Sequence, residues 1–194
     1  MSIEYYNQNA EAFRERTLSI DMSEAYAAFL KYIPLHAHIC DAGCGVGRDA
    51  KYFKDDDYRV TAFDASAQMV DFASELLGQP VQLLTFDAMP FEHVFDGLWC
   101  EAALIHVPYS DLASVFSKFH RALKPEGILW VSFKYGYGKR SVLGRDFYDM
   151  DEAHIREYLG PHFDILGIWQ VPDMRSRIAP SRHNAWLKVL AKSG

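Results

Sequence analysis

The stretch H-A-H-I-C-D-A-G-C-G-V-G-R-D-A-K-Y-F, residues 36–53, decides the fold that the rest of the chain must fit. It predicts a short buried strand over residues 39–41, a turn with three glycines, and a helix that begins at Arg48 or Asp49. Glycines let the backbone turn tightly and let a ligand approach main-chain atoms that a side chain would shield. The helix start adds unpaired N–H groups and the positive end of the helix dipole. Such a turn after a strand is typical of a ligand cradle in an α/β sheet.

Length and composition indicate one globular domain. The chain has 194 residues, of which 49% are apolar, so it can form a full core. It contains no run of about 18 apolar residues, and its first residues lack the basic start and apolar stretch of a secretory signal. The three cysteines, Cys40, Cys44 and Cys100, form no C-x-x-C pair and have small or apolar neighbours. We therefore expect a cytoplasmic protein with buried thiols, no membrane span and no metal site.

The charge is unevenly distributed along the chain. The net charge of −6 argues against a nucleic-acid partner. Residues 134–194 contain ten Lys and Arg and seven Asp and Glu. Residues 1–133 contain ten Lys and Arg and nineteen Asp and Glu. A mildly basic last third on an acidic body fits a small anionic ligand better than a bound polymer.

Strand and helix patterns alternate after a helical start. Alternation of this kind predicts parallel βαβ units in a three-layer, doubly wound, Rossmann-like α/β sheet. Two later strand-like runs, residues 163–171 and 185–191, have no helix-length pattern between them, so we expect them to pair antiparallel. We expect a single domain over residues 1–194, with a helical cap over 1–33 and the core over 34–194. The other predicted strands cover residues 60–63, 81–86, 95–100 and 128–133, and the predicted helices between them run from Asp64 or Ser66 to Leu77 and from about Ser110 to Leu123.

Three of the predicted parallel strands end in an acid. These are Asp41, Asp64 and Asp87, and the carboxyl ends of parallel strands are where such a sheet binds its ligand. In nucleotide-binding sheets, an acid roughly 20 residues after the glycine turn binds the ribose hydroxyls. The spacing between the last glycine of this turn and Asp64 is close to that value. The pattern therefore predicts a nucleoside ligand.

The glycine spacing helps to choose the nucleoside. The dinucleotide fingerprint is G-x-G-x-x-G, but in G-C-G-V-G the third glycine comes one position early. Asp49 at the helix start would also repel a pyrophosphate. An amino-acid end fits better, with Asp41 facing an ammonium group and Arg48 a carboxylate. The nucleoside that carries an amino acid is S-adenosylmethionine.

The segments D-A-G-C-G-V-G-R-D, F-D-A-S, F-D-G-L-W-C-E-A-A-L-I-H-V-P and K-P-E-G-I-L-W-V-S-F-K-Y-G together resemble class I S-adenosylmethionine-dependent methyltransferases. The resemblance covers nearly the whole chain. S-F-K-Y-G and G-R-D-F, residues 144–147, are similar to a subgroup of small bacterial tellurite-resistance-related methyltransferases, from whose pattern Glu101 and Lys188 depart. The cofactor-binding residues that the resemblance implies are Gly43 and Gly45 for the methionyl part, Asp64 for the ribose, Ala65, Met69, Asp87 and Ala88 for the adenine, and Cys100 beside the cofactor.

The resemblance also implies where the acceptor binds. Methyl transfer from a sulfonium needs an aligned nucleophile and a dry pocket, and a base only if the attacking atom carries a proton. His106 lies in the loop that faces the methyl in this fold, so we predict it as the base. We expect an anionic or soft-nucleophile acceptor of the tellurite, thiol or carboxylate class, bound by Tyr6, His106, Lys134, Tyr135, Arg145 and Arg175.

Three other functions stay open at this point. A nicotinamide-dependent oxidoreductase is disfavoured by the misplaced glycine and by Asp49. A non-catalytic adenosylmethionine-binding module remains an alternative because Glu101 and Lys188 depart from the subgroup pattern. The excess of acidic residues over residues 1–133 argues against RNA methylation. The sequence names neither the acceptor nor the oligomeric state.

Overall fold

The structure is a computed structural model that describes residues 2–173 and 185–194. Within these ranges the chain forms nine strands and seven α-helices. The strands are β1 (His38–Ala42), β2 (Arg59–Asp64), β3 (Gln82–Leu83), β4 (Phe95–Cys100), β5 (Leu123–Lys134), β6 (Gly138–Val142), β7 (Arg145–Asp149), β8 (Phe163–Pro172) and β9 (Ala185–Ser193). The helices are α1 (Ser2–Gln8), α2 (Ala10–Thr17), α3 (Ser23–Leu30), α4 (Arg48–Asp55), α5 (Ala67–Leu77), α6 (Tyr109–Ala122) and α7 (Glu152–Leu159).

Seven of these strands form one sheet in the order β3-β2-β1-β4-β5-β9-β8. Strands β1 to β5 pair in parallel, and β9 lies antiparallel between β5 and β8. The strand order reverses at β1, so the carboxyl ends of β1, β2 and β4 flank a crevice. This confirms the predicted doubly wound sheet with its antiparallel end.

Both faces of the sheet are covered, because successive side chains of a strand point to opposite faces. Leu98 packs with α6 in one apolar cluster, whereas Trp99 packs with Phe29 of α3 and Phe53 of α4 in another. Gly97 of β4 permits the close approach of α3, since a Cβ there would lie 2.7 Å from Cζ of Phe29. The helical residues before β1 are thereby fixed against the sheet beside the crevice. No helix among the described residues is long and apolar enough to cross a membrane.

Three elements differ from the sequence-based expectation. Strand β5 begins at Leu123 rather than at residue 128. Strand β3 has two residues rather than six, because the chain leaves the sheet and forms a 3-10 turn over Phe86–Ala88. The hairpin β6–β7 is absent from the prediction. Its two-residue turn has positive φ at both Leu143 (51°) and Gly144 (74°), which matches the twist of a hairpin. A leucine at such a position gives no turn signal, since asparagine or glycine is the usual residue there.

Candidate active site

A cavity of about 610 Å³ lies at the carboxyl ends of β1, β2 and β4, where the strand order reverses. Its volume is in the usual range for a small-molecule site. The glycine turn, the end of β2 and the loop after β4 supply one part of its wall. Further wall residues come from α1 and α2, the hairpin β6–β7 and the paired strands β8 and β9.

The glycine turn is built so that its backbone lies in the cavity wall. Gly43 has φ of +73°, and a Cβ at this position would lie 2.5 Å from Cβ of Ala103. Gly47 has φ of +86°, and its Cβ would lie 3.0 Å from Cβ of Ala73 on α5. Neither position accepts a larger residue without strain. The turn therefore presents main-chain atoms, unshielded by side chains, to whatever occupies the cavity.

Asp64 joins the end of β2 to this turn. Its Oδ2 accepts the N–H of Gly45 at 2.8 Å, and its Oδ1 accepts the N–H of Ser66 at 2.9 Å. Burial raises the pKa of this carboxyl, and the N–H groups of Ser66, Gly45 and Ala65 oppose the shift. A carboxylate has about four acceptor positions, so acceptor capacity remains for a ligand. Since Asp64 also lines the cavity, that capacity suits the hydroxyl groups of a ligand.

Seven of the ten predicted cofactor-binding residues line the cavity. They are Gly43, Gly45, Arg48, Asp64, Ala65, Met69 and Asp87. Asp41, Ala88 and Cys100 do not line it. Asp41 is buried below the turn, where its Oδ2 accepts the N–H of Ala50 at 2.9 Å, so its side chain is not exposed in the cavity wall. Burial raises the pKa of the Asp41 carboxyl well above its usual range.

Arg48 and Asp49 form a buried pair at the start of α4. The guanidinium Nε and Nη2 donate to the two carboxylate oxygens at 2.6 and 2.9 Å. The same carboxylate accepts the hydroxyl of Tyr26 at 2.5 Å and the indole N–H of Trp99 at 2.9 Å. Burial disfavours the charge on Arg48, but Asp49 raises its pKa overall. The negative charge expected at the helix start is thus neutralised. Three donors of Arg48 are already used, since its Nη1 also donates to the carbonyl oxygen of Thr17 at 3.4 Å.

His106 is held between two partners in the cavity wall. Its Nδ1 lies 2.7 Å from the carbonyl oxygen of Asp146, and its Nε2 lies 2.9 Å from the hydroxyl of Tyr6. A carbonyl oxygen only accepts, so Nδ1 carries the proton and the lone pair of Nε2 accepts the Tyr6 hydroxyl. Burial lowers the pKa of the imidazole. His106 is therefore a neutral base whose lone pair faces Tyr6.

The predicted basic acceptor residues are not brought together in the wall. The ammonium group of Lys134 forms an ion pair with Asp173 and lies 4.0 Å from the ring centroid of Trp186. The guanidinium of Arg145 lies 4.0 Å from the ring centroid of Tyr5. Neither Lys134, Tyr135 nor Arg145 lines the cavity, although Tyr6 and His106 do. Arg175 lies outside the described residues.

Comparisons with known proteins agree with this geometry. Residues 40–131 match the family model described as a methyltransferase domain. This match covers just under half of the chain and agrees with the resemblance to class I S-adenosylmethionine-dependent methyltransferases. The chain is 33% identical over 95 residues to a malonyl-[acyl-carrier protein] O-methyltransferase of Salmonella typhimurium, a match that covers 48% of this chain and 37% of that protein. The chain thus spans well under two thirds of the length of that curated relative.

Two solved structures show the same fold. A Burkholderia thailandensis 1,6-didemethyltoxoflavin-N1-methyltransferase with bound S-adenosylhomocysteine has a TM-score of 0.81 and 22% identity, covering 98% of this chain and 86% of that one. A magnesium protoporphyrin IX methyltransferase from Synechocystis, also with bound S-adenosylhomocysteine, has a TM-score of 0.74 and 20% identity, covering 100% and 98%. The predicted fold is therefore confirmed, and the S-adenosylhomocysteine bound to both neighbours is consistent with the predicted cofactor, whereas the tellurite-resistance subgroup is not confirmed.

Sequence reasoning assigned no site role to several residues that line the cavity. Glu101 at the end of β4 accepts the indole N–H of Trp130 at 2.8 Å through its Oε2. Trp186 and Lys188 reach the wall from β9. They are two residues apart on one strand, so they share a face. This two-residue spacing in the sequence indicates that the two side chains share a face. It points to the cavity only once β9 is known to lie beside β5.

Proposed function

We propose that this chain transfers the methyl group of S-adenosylmethionine to a small molecule whose attacking atom carries a proton. The observation that carries the proposal is the neutral His106, held by Asp146 and Tyr6 in the wall of the cavity that contains the glycine turn and Asp64. One cavity then contains both a nucleoside site and a base.

The cofactor fits the residues present. The free acceptor positions of Asp64 suit the ribose hydroxyls, and the glycine turn leaves main chain open to the methionyl part. Met69 and Asp87 line the wall near the adenine position. When bound, S-adenosylmethionine supplies an electrophilic methyl group on a sulfonium.

Tyr6 and His106 would take the proton that the acceptor loses. As the acceptor's attacking atom bonds to carbon, its proton passes to the Tyr6 oxygen while the Tyr6 proton passes to Nε2 of His106. The imidazolium that results donates from Nδ1 to the Asp146 carbonyl and from Nε2 to Tyr6, so both of its protons have acceptors. The base has to be neutral before the reaction, which the lowered pKa of His106 favours.

The identity of the acceptor belongs to the same proposal. The resemblance to the tellurite-resistance-related subgroup favours tellurite, thiols and carboxylates, and the small cavity favours a small molecule over RNA.

We propose that the chain acts in the cytoplasm as one domain whose residues 1–33 cap the core. Tyr6, Phe13 and Thr17 support the cap, because they lie in the cavity wall.

Turnover on an acceptor panel tests the proposal. The purified protein is incubated with S-adenosylmethionine and tellurite, thiols, carboxylates, amines or heterocyclic N–H compounds, and S-adenosylhomocysteine is measured. We expect acceptor-dependent production with at least one class. Binding of S-adenosylhomocysteine without turnover on any class would favour the non-catalytic module instead.

The pH dependence of kcat/KM should report the state of His106. Burial and the charge of Arg145 lower its pKa below the ordinary 6.5, against the raising effect of the Asp146 carbonyl. The neutral base is the active form, so the rate should fall as the pH drops through this lowered pKa, with an acid limb below pH 6.5. Arg145→Met removes one lowering charge and should shift the limb upward. A limb unmoved in Arg145→Met would contradict the assignment.

Tyr6→Phe should lower kcat about tenfold for acceptors that lose a proton, because it removes one hydrogen bond and the proton path to His106. Acceptors that are already deprotonated should be affected much less. The comparison is made at saturating S-adenosylmethionine, with Tyr52→Phe, a half-exposed tyrosine of α4, as the control. Equal losses for both acceptor types would indicate that Tyr6 only shapes the cavity.

A further inference from the structure

The order of the strands divides the cavity into two ends. Asp64 lies at the end of β2, whereas Lys188 lies on β9, four strand positions away in the sheet. Neighbouring strands are about 4.8 Å apart, which puts these two walls about 19 Å apart along the sheet edge. We define the acceptor end of the cavity by Glu101, Pro172, Trp186 and Lys188, all of which line it.

Three acids of the cavity wall already have partners. Asp49 is paired with Arg48, and Asp173 is paired with Lys134. Glu101 accepts the indole N–H of Trp130. Within residues 2–173 and 185–194, no ion-pair or hydrogen-bond partner is found for the Lys188 ammonium group, whose Nζ lies 5.9 Å from the ring centroid of Trp130.

We propose that Lys188 is the residue that anchors the acceptor, and that the acceptor carries a carboxylate on a planar, apolar body. This inference rests on the proposed methyl transfer and names the substrate class of the same site. A half-buried ammonium group in a cavity wall gains most from a ligand that brings the missing negative charge. Trp186, whose ring also contacts the Lys134 ammonium group, contributes an apolar side chain to the cavity wall on the same face of β9.

The position of Glu101 sets the orientation of such a ligand. Its carboxylate would repel a second one, so the ligand's negative group lies toward Lys188 on β9. The apolar body then points along the sheet toward β4 and the glycine turn, where Tyr6 and His106 also line the cavity. Lys134 and Arg145, the anchors expected from the sequence, are replaced in this role by Lys188.

Paired probes test the anchor without knowledge of the natural acceptor. The protein is saturated with S-adenosylhomocysteine and titrated calorimetrically with benzoate and 2-naphthoate, and separately with benzamide and 2-naphthamide. We expect the carboxylates to bind about tenfold to a hundredfold more tightly than their amides, the range of a charge-assisted hydrogen bond. Lys188→Met should abolish this preference, and Lys188→Arg should retain most of it.

Lys192→Met is the matched control, because Lys192 lies on the same strand but pairs with Glu126 on the surface. It should behave as the wild type. Equal affinity for carboxylate and amide, an unchanged preference in Lys188→Met, or no carboxylate binding would overturn the anchor. Failure to bind S-adenosylhomocysteine would instead contradict the proposed function. Saturation of Lys188→Met with S-adenosylhomocysteine shows that this variant is folded.

Discussion

Asp64→Ala should weaken the binding of S-adenosylhomocysteine about a hundredfold or more. The substitution removes the carboxylate that we propose accepts the ribose hydroxyls, and each hydrogen bond to a charged group contributes about 1.5–3 kcal/mol. It also removes the acceptor for the N–H groups of Gly45 and Ser66, so the turn itself loses support. Calorimetric titration measures the change.

Asp71→Ala is the control for this prediction, because Asp71 is exposed on α5, close in sequence to Asp64 and outside the cavity wall. It should bind S-adenosylhomocysteine as the wild type does. Asp64→Asn keeps one acceptor oxygen and should give an intermediate loss. An Asp64→Ala protein that is folded and retains wild-type affinity would show that the ribose does not bind at the end of β2.

Asp49→Ala should lower the free energy of unfolding by about 3–5 kcal/mol, the usual cost of removing one partner of a buried ion pair. The guanidinium of Arg48 would remain buried without its counter-ion, and Tyr26 and Trp99 would each lose a hydrogen-bond acceptor. Such a loss is a large part of the about 5–15 kcal/mol that stabilises a typical domain. Urea unfolding of the variant measures it.

Asp55→Ala provides the comparison within the same helix. Asp55 is exposed and pairs with Lys51 one turn away, an interaction that contributes about 0.5 kcal/mol or less. The double variant Arg48→Met/Asp49→Leu removes both charges and should recover part of the stability. If Asp49→Ala and Asp55→Ala were equally stable, the network of Asp49 would be energetically unimportant.

The cofactor cradle could be predicted from the sequence because its signals are local. The glycines, the helix start and the acid at the end of β2 all lie within residues 43–64. The glycines adopt positive φ angles, and the acid accepts a backbone N–H of the turn. The parallel sheet follows from the alternation of strands and helices. Ser66 caps α5 through the N–H of Met69, and Gly78 ends that helix with a positive φ, as their positions indicate.

The partners of the predicted residues could not be derived in the same way. Tyr6 and His106 are 100 residues apart, and the hairpin that brings the Asp146 carbonyl to His106 has no usual turn sequence. Lys134 carries the charge that the sequence suggested, but Asp173 already pairs with it. Composition counts charges without showing which are paired, so it pointed to Lys134 and Arg145 rather than to Lys188.

The central claim is that the cavity at the carboxyl ends of β1, β2 and β4 binds the methyl donor. Isothermal titration of the purified chain with S-adenosylhomocysteine and with NAD, under the same conditions, tests it most directly. We expect saturable one-to-one binding of S-adenosylhomocysteine and no binding of NAD. Binding of NAD, or no binding of S-adenosylhomocysteine by the folded protein, would contradict the account.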